Sequence, residues 1–116
     1  MSITARKKNI GISAKKMRPL VNLLRGKKAV DALNMLSFIS SSPSEALLEL
    51  IKSAIANAES RQYGTRDALV ISTIYADQAT TIKRWRARAR GRAGTFNRAQ
   101  SHVFVELTDI NIQEEN

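Results

Sequence analysis

The amino-acid sequence predicts an α+β fold in which three helices are followed by strands and a long protruding β-hairpin. Between Ile12 and Arg61, apolar residues recur every three or four positions, which is the spacing of a buried helix face. From Ala68 the period becomes two and β-branched residues are frequent, which indicates strands. The 116 residues have the length of one domain, 1–116, and contain no internal repeat.

The first helix is expected to begin near Ser13, a residue suited to the N-cap position. A short basic segment, Ser2 to Ile10, precedes it and is interpreted as an edge strand or an arm. Gly26 is suited to the left-handed position that follows a helix. Because Pro19 lacks a backbone donor, it predicts either a kink or a helix that starts later than Ser13. The apolar stripe of this helix consists of Met17, Leu20, Val21 and Leu24.

Two more helices are predicted before the strands. The second runs from about Lys28 to Phe38. The third begins at Ser42, where Ser42 as N-cap, Pro43 as first helical residue and Glu45 form a capping box, and it ends near Arg61. The predicted buried residues are Val30, Leu33 and either Leu36 or Phe38 in the second helix, and Leu47, Leu50, Ile51, Ala54, Ile55 and Ala58 in the third.

Two strands are predicted, Leu69 to Tyr75 and Val103 to Thr108. Roughly 25 residues without a helical stripe separate them, and an irregular loop of that length is unusual in a compact domain. We therefore predict that 77–100 form a hairpin arm that projects about 40 Å, with its tip near Ala89 to Gly91. The acidic residues 109–116 are expected to fray. In the second strand, Val103, Val105 and Leu107 share one face, and His102, Phe104 and Glu106 share the other.

The charge of the chain is concentrated in two basic blocks. The formal net charge is +9. Residues 1–28 contain nine Lys or Arg and no acidic residue, and residues 83–98 contain seven and none. The segment between them, 29–82, has three basic and six acidic residues, and 99–116 has four acidic residues and no basic one. Clustering of one sign predicts a polyanionic partner, of which nucleic acid is the usual one.

The arm carries arginine at every second position, at residues 84, 86, 88, 90 and 92. In an extended strand these side chains share a face, so they form a row of guanidinium groups that bind phosphate bidentately. Trp85 is interpreted either as a ring that stacks on a base or as a packing residue at the base of the arm. Because like charges repel and an isolated hairpin is marginal, the free arm is expected to be mobile and to order on RNA.

The residues predicted to bind RNA come from both basic blocks. Lys27 and Lys28 lie at a helix junction, where a phosphate would be accessible, and the others lie on the first helix or the arm. Any one of the first block has the alternative role of an ordinary surface residue. The full set is Lys15, Lys16, Arg18, Arg25, Lys27, Lys28, Lys83, Arg84, Trp85, Arg86, Arg88, Arg90, Arg92 and Arg98.

The sequence predicts no enzyme, no metal site and no cofactor. There is no cysteine and a single histidine, His102, so no zinc pattern exists. No pair of carboxylates has a spacing that demands acid–base catalysis, and no glycine-rich loop precedes a helix. A DNA-binding regulator of winged-helix type is the alternative, although 37–44 is longer than the usual turn of that motif and no helix has a cluster of base-reading side chains. A membrane-active peptide is disfavoured because the arm lacks an apolar face.

Four segments resemble the bacterial-type large-subunit ribosomal protein L-twenty-two family, and the likeness spans about residues 3–108. They are Leu24 to Lys28, Ser53 to Glu59, Lys83 to Ala93, and Ser101 to Val103. The resemblance implies three helices packed on a small antiparallel sheet with a long hairpin. It also implies a structural constituent of the large ribosomal subunit, in the bacterial cytoplasm or in a plastid or mitochondrion.

The same resemblance implies partners and a role for the tip. The partners would be large-subunit ribosomal RNA, neighbouring ribosomal proteins and the nascent polypeptide, without a membrane and without a homo-oligomer. The hairpin would run between RNA segments, assist subunit assembly and line the polypeptide exit tunnel. The tip residues that match this role are Arg88, Ala89, Arg90, Gly91 and Arg92.

Overall fold

The computed structural model describes residues 2–87 and 93–110, and for residues 82–87 and 93–98 it describes the backbone. The elements confirm the predicted α+β class, with helices and an antiparallel sheet in one chain. In chain order they are β1 (Ile3–Ile10), α1 (Ala14–Leu24), α2 (Ala29–Ser37), α3 (Ser42–Ser60), a 3-10 turn (Arg66–Ala68), β2 (Leu69–Gln78), β3 (Ile82–Ala87), β4 (Ala93–Arg98) and β5 (Ser101–Asp109).

Helix α1 begins where the sequence predicts, with Ser13 at the N-cap, although the Ser13 side chain makes no capping hydrogen bond. The prediction of a later start is wrong, because Pro19 lies inside the helix on its exposed side. Pro19 removes the backbone donor to the Lys15 carbonyl, and both residues are exposed. Gly26 has φ of +83°, as the predicted left-handed position requires. The buried residues are Ala14, Met17, Val21 and Leu24.

Helix α2 buries Leu36 and leaves Phe38 exposed. Phe38 is the C-cap residue and 89% of its surface is accessible, which settles the choice left open between the two. Val30 is only half-buried, because the alanines of this helix face the core instead. The small side chains allow α2 to pack closely on α3. The buried residues of α2 are Ala29, Ala32, Leu33 and Leu36.

The predicted N-cap of α3 is wrong by one residue, because Ser41 and not Ser42 is the cap. The Ser44 backbone donates to Ser41 Oγ at 3.3 Å, and the Ser41 backbone donates to Ser44 Oγ at 3.2 Å. Ser44 is buried and its hydroxyl lies 2.6 Å from the Ile39 carbonyl oxygen. A hydroxyl both accepts and donates in this small space, so the capping box closes on Ser44 and leaves Glu45 exposed in the first turn.

The main sheet is antiparallel, in the order β1-β5-β2. As predicted, Val103, Val105 and Leu107 of the central strand β5 are fully buried against the helices. The other face of β5 is half-exposed. Strand β1 is an edge strand, which confirms one of the two interpretations of the basic N-terminal segment. The core between helices and sheet is aliphatic, and Tyr63 is the one aromatic residue in its cluster among the described residues.

The segment between α1 and α2 covers the other edge of the sheet. Gly26 N donates to the Ile71 oxygen at 3.0 Å, and Ile71 N donates to the Lys27 oxygen at 2.9 Å. Lys28 forms a further antiparallel bridge with Val70. An unpaired strand edge invites association with other chains, so this segment protects β2. The same bonds hold Lys27 and Lys28 in place on the body.

The two-stranded arm begins where β1 ends. The three-stranded part of the sheet stops at Ser101, which pairs with both Ile10 and Gln78. Beyond that row, Ala79 N donates to the Gln100 oxygen at 2.9 Å, and β3 then pairs with β4 from Ile82–Arg98 onward. The arm therefore leaves the body about two residues later than the predicted start at residue 77.

The stretch of chain that runs through β2 into β3 contains two irregularities that shift its pairing register. One lies between Ile71 and Thr73, where Ser72 is an extra residue. The other lies between the pairs Gln78–Ser101 and Ile82–Arg98, where the three residues 79–81 lie opposite the two residues 99–100. An extra residue bends a strand and increases its twist, so these positions set the direction of the arm.

The molecule is elongated, with extents of 66 × 27 × 23 Å. Its radius of gyration is 17.4 Å, compared with roughly 13 Å for a compact domain of this length. These dimensions fit a hairpin that extends away from the body. The predicted tip at 89–91 lies outside the described residues, as does the tail from residue 111. Asp109, which was expected to fray, is buried at the end of β5 and pairs with Leu69.

Candidate nucleic-acid interface

The first basic block of the sequence lies beside the root of the arm, next to residue 98, where the second block ends. Lys15, Lys16 and Arg18 are exposed on the first turns of α1, because Met17 and Val21 turn the opposite side of the helix toward β2. Ser13, Ala14, Lys15 and Arg18 line a concave pocket of about 150 Å³ whose other wall is Gln78 and Ala99. Gln78 and Ala99 are residues of the arm root. Helix α1 thus places its positive charge directly beside the start of the basic arm.

These cations have no internal counter-charges among the side chains that the structure describes. Within 2–81 and 99–110 there are two ion pairs, between Lys7 and Glu49 at 3.2 Å and between Arg66 and Glu59 at 3.9 Å. Neither pair involves the predicted RNA-binding residues. An exposed cation without a partner stays fully hydrated and is free to neutralise an external phosphate.

Lys27 and Lys28 form a second exposed basic site. They lie in the junction between α1 and α2, which covers the free edge of β2. Both side chains are exposed, while their backbones are held by Ile71 and Val70. A fixed backbone lowers the entropy that a lysine loses when it binds a phosphate, since only the side chain has to be ordered. The junction therefore suits the phosphate contact that its sequence predicts.

Arg25 has a structural role that the sequence did not indicate. Its Nη2 atom donates to the Ile74 carbonyl oxygen at 2.8 Å, and its Nη1 atom donates to Asn22 Oδ1 at 3.2 Å. These bonds join the end of α1 to the edge of β2. A guanidinium has five N–H donors, so donors remain for a phosphate. RNA binding by Arg25 stays a prediction beside this observed role.

The backbone register of the arm places its basic residues in pairs with mostly uncharged ones. Lys83 lies opposite Asn97, Arg84 opposite Phe96, and Arg86 opposite Gly94. Trp85 lies opposite Thr95, and Arg98 lies opposite Ile82. The side chains of 82–98, and all of Arg88, Ala89, Arg90, Gly91 and Arg92, lie outside the described residues. The predicted arginine row and the two roles considered for Trp85 therefore stay predictions.

Sequence reasoning missed a cluster on the outer face of the sheet, opposite the helices. Phe104 and Tyr75 are stacked with ring centroids 5.1 Å apart, and the Arg6 guanidinium lies 5.3 Å from the Phe104 centroid. Alternation in β5 had indicated an outward Phe104, but its neighbours on β1 and β2 are distant in sequence. The same alternation, applied to the basic β1 segment, would have placed Arg6 on this face.

The described residues bear on two other function classes, metal binding and membrane insertion. No group of three or more His, Cys, Asp or Glu side chains in that part of the chain is placed to hold a metal ion. No described helix has the length and hydropathy needed to cross a membrane.

The geometry of α3 bears on the winged-helix alternative. The α2–α3 connection is shorter than the sequence indicated, since α2 ends at Ser37 and α3 begins at Ser42. Loop length is therefore no argument against a helix-turn-helix. The exposed side of α3, however, carries Glu45, Glu49 and Glu59 and a single basic residue, Lys52. An acidic helix is repelled by duplex phosphates, so α3 is not a recognition helix.

A small α+β body with a two-stranded arm, and with exposed cations at the arm root, is typical of proteins that contact nucleic acid. Residues 5–108 match the family described as ribosomal protein L22p/L17e. The chain belongs to this family, which confirms the resemblance carried by its four segments. The family is one of structural proteins, and the chain is not an enzyme.

Individual relatives align with nearly the whole chain. The large ribosomal subunit protein uL22 of Dehalococcoides mccartyi is 41% identical over 109 residues, which are 94% of this chain and 100% of the relative. The protein of the same name from Pelobacter propionicus is 38% identical over 94% of this chain and 98% of its own length. That of Pediococcus pentosaceus is 38% identical over 93% and 92%. These bacterial relatives indicate a ribosomal protein of the bacterial cytoplasm.

Proposed function

We propose that this chain is a structural constituent of the large ribosomal subunit that binds the 23S-type RNA through its two basic blocks. The family and the named relatives support the coarse assignment. The observation that carries the RNA contact is the position of Lys15 and Arg18 beside the arm root, where neither forms an ion pair with another side chain that the structure describes. The basic residues of the arm continue this positive surface away from the body.

The mechanism is neutralisation of phosphate where separate RNA segments approach one another. RNA segments repel, and a narrow arm of basic residues reduces that repulsion when it lies between them. The cations of α1 and the junction at Lys27 and Lys28 bind the body to RNA, and the body in turn holds the root of the arm. By holding segments together, the protein assists assembly of the subunit.

The arm supplies the contacts that lie furthest from the body. Its tip, Arg88, Ala89, Arg90, Gly91 and Arg92, would line the polypeptide exit tunnel and face the nascent polypeptide. The body would contact neighbouring ribosomal proteins at the subunit surface. The long dimension of the molecule, 66 Å, supports a protein that reaches from the surface of the subunit into its interior.

The test compares two triple variants of the full chain that lose the same charge. Lys15→Ala/Lys16→Ala/Arg18→Ala removes the cations of the arm root, and Lys52→Ala/Arg61→Ala/Arg66→Ala removes three exposed cations elsewhere. Binding to transcribed bacterial 23S-type RNA is measured by filter retention over a series of salt concentrations. Each lost phosphate contact lowers the slope of log K against log salt by about 0.7–0.9.

The root variant is expected to lose about two units of that slope, and the control variant is expected to keep the wild-type slope. Thermal unfolding of both variants is measured to establish that each is folded. Equal slopes for the wild type and the root variant would remove α1 from the RNA interface. Equal losses in both variants would mean that net charge, and not the arm root, governs binding.

A further inference from the structure

The outer face of the sheet carries two rows of side chains that cross its three strands. In the first row, Phe104 of β5 lies opposite Arg6 of β1 and Tyr75 of β2. The Phe104 and Tyr75 rings stack with an interplanar angle of 28°, and the Arg6 guanidinium lies over Phe104. Tyr75 nevertheless keeps 40% of its surface exposed. Tyr75 therefore retains exposed surface for contact with a further flat group.

The second row contains a hydrogen-bond acceptor and a donor side by side. Asp77 of β2 lies opposite His102 of β5. The backbone N–H of Asn9 donates to His102 Nδ1 at 3.0 Å. A neutral imidazole that accepts at Nδ1 carries its proton on Nε2. Asp77 thus offers acceptors, and His102 offers one N–H donor, next to the aromatic row.

These two rows enclose a concave site of about 180 Å³ that is lined by Arg6, Lys8, Tyr75, Asp77, His102, Val103 and Phe104. The volume is below the roughly 300–1,000 Å³ of pockets that hold drug-sized ligands. A site of this size suits a single flat ring system. Cross-strand stacking explains why Tyr75 and Phe104 touch, but it does not explain a concave site with cations along one side.

We propose that this outer face binds one unstacked nucleotide of an RNA strand, with its base on the Tyr75–Phe104 pair and its phosphate at Arg6 and Lys8. Exposed aromatic residues on a sheet, with cations beside them, are a common means of binding single-stranded RNA. Asp77 repels phosphate, so the phosphate lies toward β1 and the edge of the base lies toward Asp77 and His102. The inference rests on the proposed function, because it adds a contact to the same RNA partner.

The position of the site supports this partner. The pair Asp77–His102 is followed directly by Gln78–Ser101, the last row before the arm. Asp77 lines the outer site, and Gln78 lines the pocket of Lys15 and Arg18 on the helix side. The arm root therefore has a basic concave site on each face. RNA that follows the arm toward the body meets the outer site as the sheet widens.

The stacking contact is tested with Tyr75→Leu and Tyr75→Phe in the full chain. Stacking contributes about 1–3 kcal/mol per base, so Tyr75→Leu is expected to weaken binding to transcribed 23S-type RNA by about 5- to 150-fold. Tyr75→Phe keeps the ring and is expected to bind like the wild type. Thermal unfolding identifies a variant that fails to fold. Wild-type affinity for a folded Tyr75→Leu variant would overturn the proposal.

The phosphate contact has a matched control in the adjacent residue. Lys7 and Lys8 follow one another on β1, but Lys7 pairs with Glu49 of α3 while Lys8 lines the outer site. Lys8→Ala is expected to lower the salt slope of 23S-type RNA binding by about 0.7–0.9, and Lys7→Ala to leave it unchanged. Equal slopes for Lys8→Ala and Lys7→Ala would overturn the phosphate assignment.

Two outcomes separate this inference from the proposed function. If Tyr75→Leu and Lys8→Ala bind like the wild type while the root variant binds weakly, the outer site is not an RNA contact but the proposed function stands. If the wild-type chain itself does not bind 23S-type RNA, the proposed function fails first. Unchanged RNA affinity together with poor incorporation of Tyr75→Leu into large subunits would assign the face to a neighbouring protein and overturn the RNA proposal.

Discussion

Gly64 shows at the scale of one residue how the chain turns from the last helix into the sheet. Its φ is +65°, and Gln62 before it has φ of +54°, so the backbone passes through the left-handed region twice in three residues. A Cβ atom on Gly64 would overlap the Asp109 carboxylate at the end of β5. The absence of a side chain at Gly64 therefore allows the turn and the C-terminal end of the central strand to meet.

Gly64→Ala is expected to destabilise the fold by clearly more than the ~1 kcal/mol that a left-handed alanine costs. Gly26→Ala is the matched control, because Gly26 also has a positive φ but nothing lies within 4 Å of its added Cβ. Urea unfolding measures both free energies. Equal losses for the two variants would show that Asp109 moves aside without cost.

Residues with two roles are the harder case at this scale. Arg25 belongs to a basic segment and was assigned to RNA from its charge, yet its guanidinium bonds Ile74, 49 residues further along the chain. Phe38 was one of two candidates, with Leu36, for the buried face of α2, and it is 89% exposed. In both cases the side-chain chemistry is evident from the sequence, but the packing of distant elements determines whether the side chain is exposed and what it contacts.

The N-terminus of α3 shows at the scale of an element how local chemistry chooses between equivalent signals. Three consecutive serines, 40–42, precede Pro43, and any of them could cap a helix. The reciprocal bonds between Ser41 and Ser44 decide the position, since Ser44 is buried and reaches the Ile39 carbonyl as well. The helix therefore starts one residue earlier than a Ser42 cap with Glu45 would place it.

Ser41→Ala is expected to lower the free energy of unfolding by about 1 kcal/mol, because it leaves the Ser44 N–H without its acceptor. Ser42→Ala is expected to change it by a few tenths of a kcal/mol, since Ser42 is exposed and makes no capping bond. Chemical denaturation of the two variants decides between the caps. A larger loss for Ser42→Ala would restore Ser42 as the N-cap.

At the scale of the whole molecule, the body and the arm have different sources of stability. The buried cluster among the described residues comes from β1, the three helices, β2 and β5. Strands β3 and β4 pair with each other and not with the main sheet. An isolated pair of strands is marginal in water, so the arm depends on the body at its root and on its partner along its length.

Removal of the arm is expected to leave the body folded. The variant replaces 83–97 by Asn-Gly, which closes the Ile82–Arg98 pair with a two-residue turn. Its melting temperature is expected to stay within a few degrees of the wild type, while affinity for 23S-type RNA falls because six basic residues are lost. Loss of the cooperative thermal transition would show that the arm is part of the folding unit.

The sequence by itself determined the class of fold and where its charge lies. Apolar residues recur every three or four positions in α3 and every second position in β5. This spacing specifies which face is buried, because side chains on a helix or a strand point in one direction at a fixed interval along the chain. The residues between the two predicted strands lack a helical apolar stripe, and this absence predicted an extended arm in place of a further helix. These are properties of neighbouring residues, and the chain carries them in linear order.

Only the tertiary structure decided which distant residues meet. The strand order β1-β5-β2 brings Arg6, Phe104 and Tyr75 into one row, and the packing of α1 on β2 brings Lys15 and Arg18 to the arm root. No local spacing encodes such neighbours, because they depend on which elements bury their apolar faces together. Burial of apolar side chains in the core of the body is the dominant favourable contribution to folding, and the polar sites take their positions as a consequence.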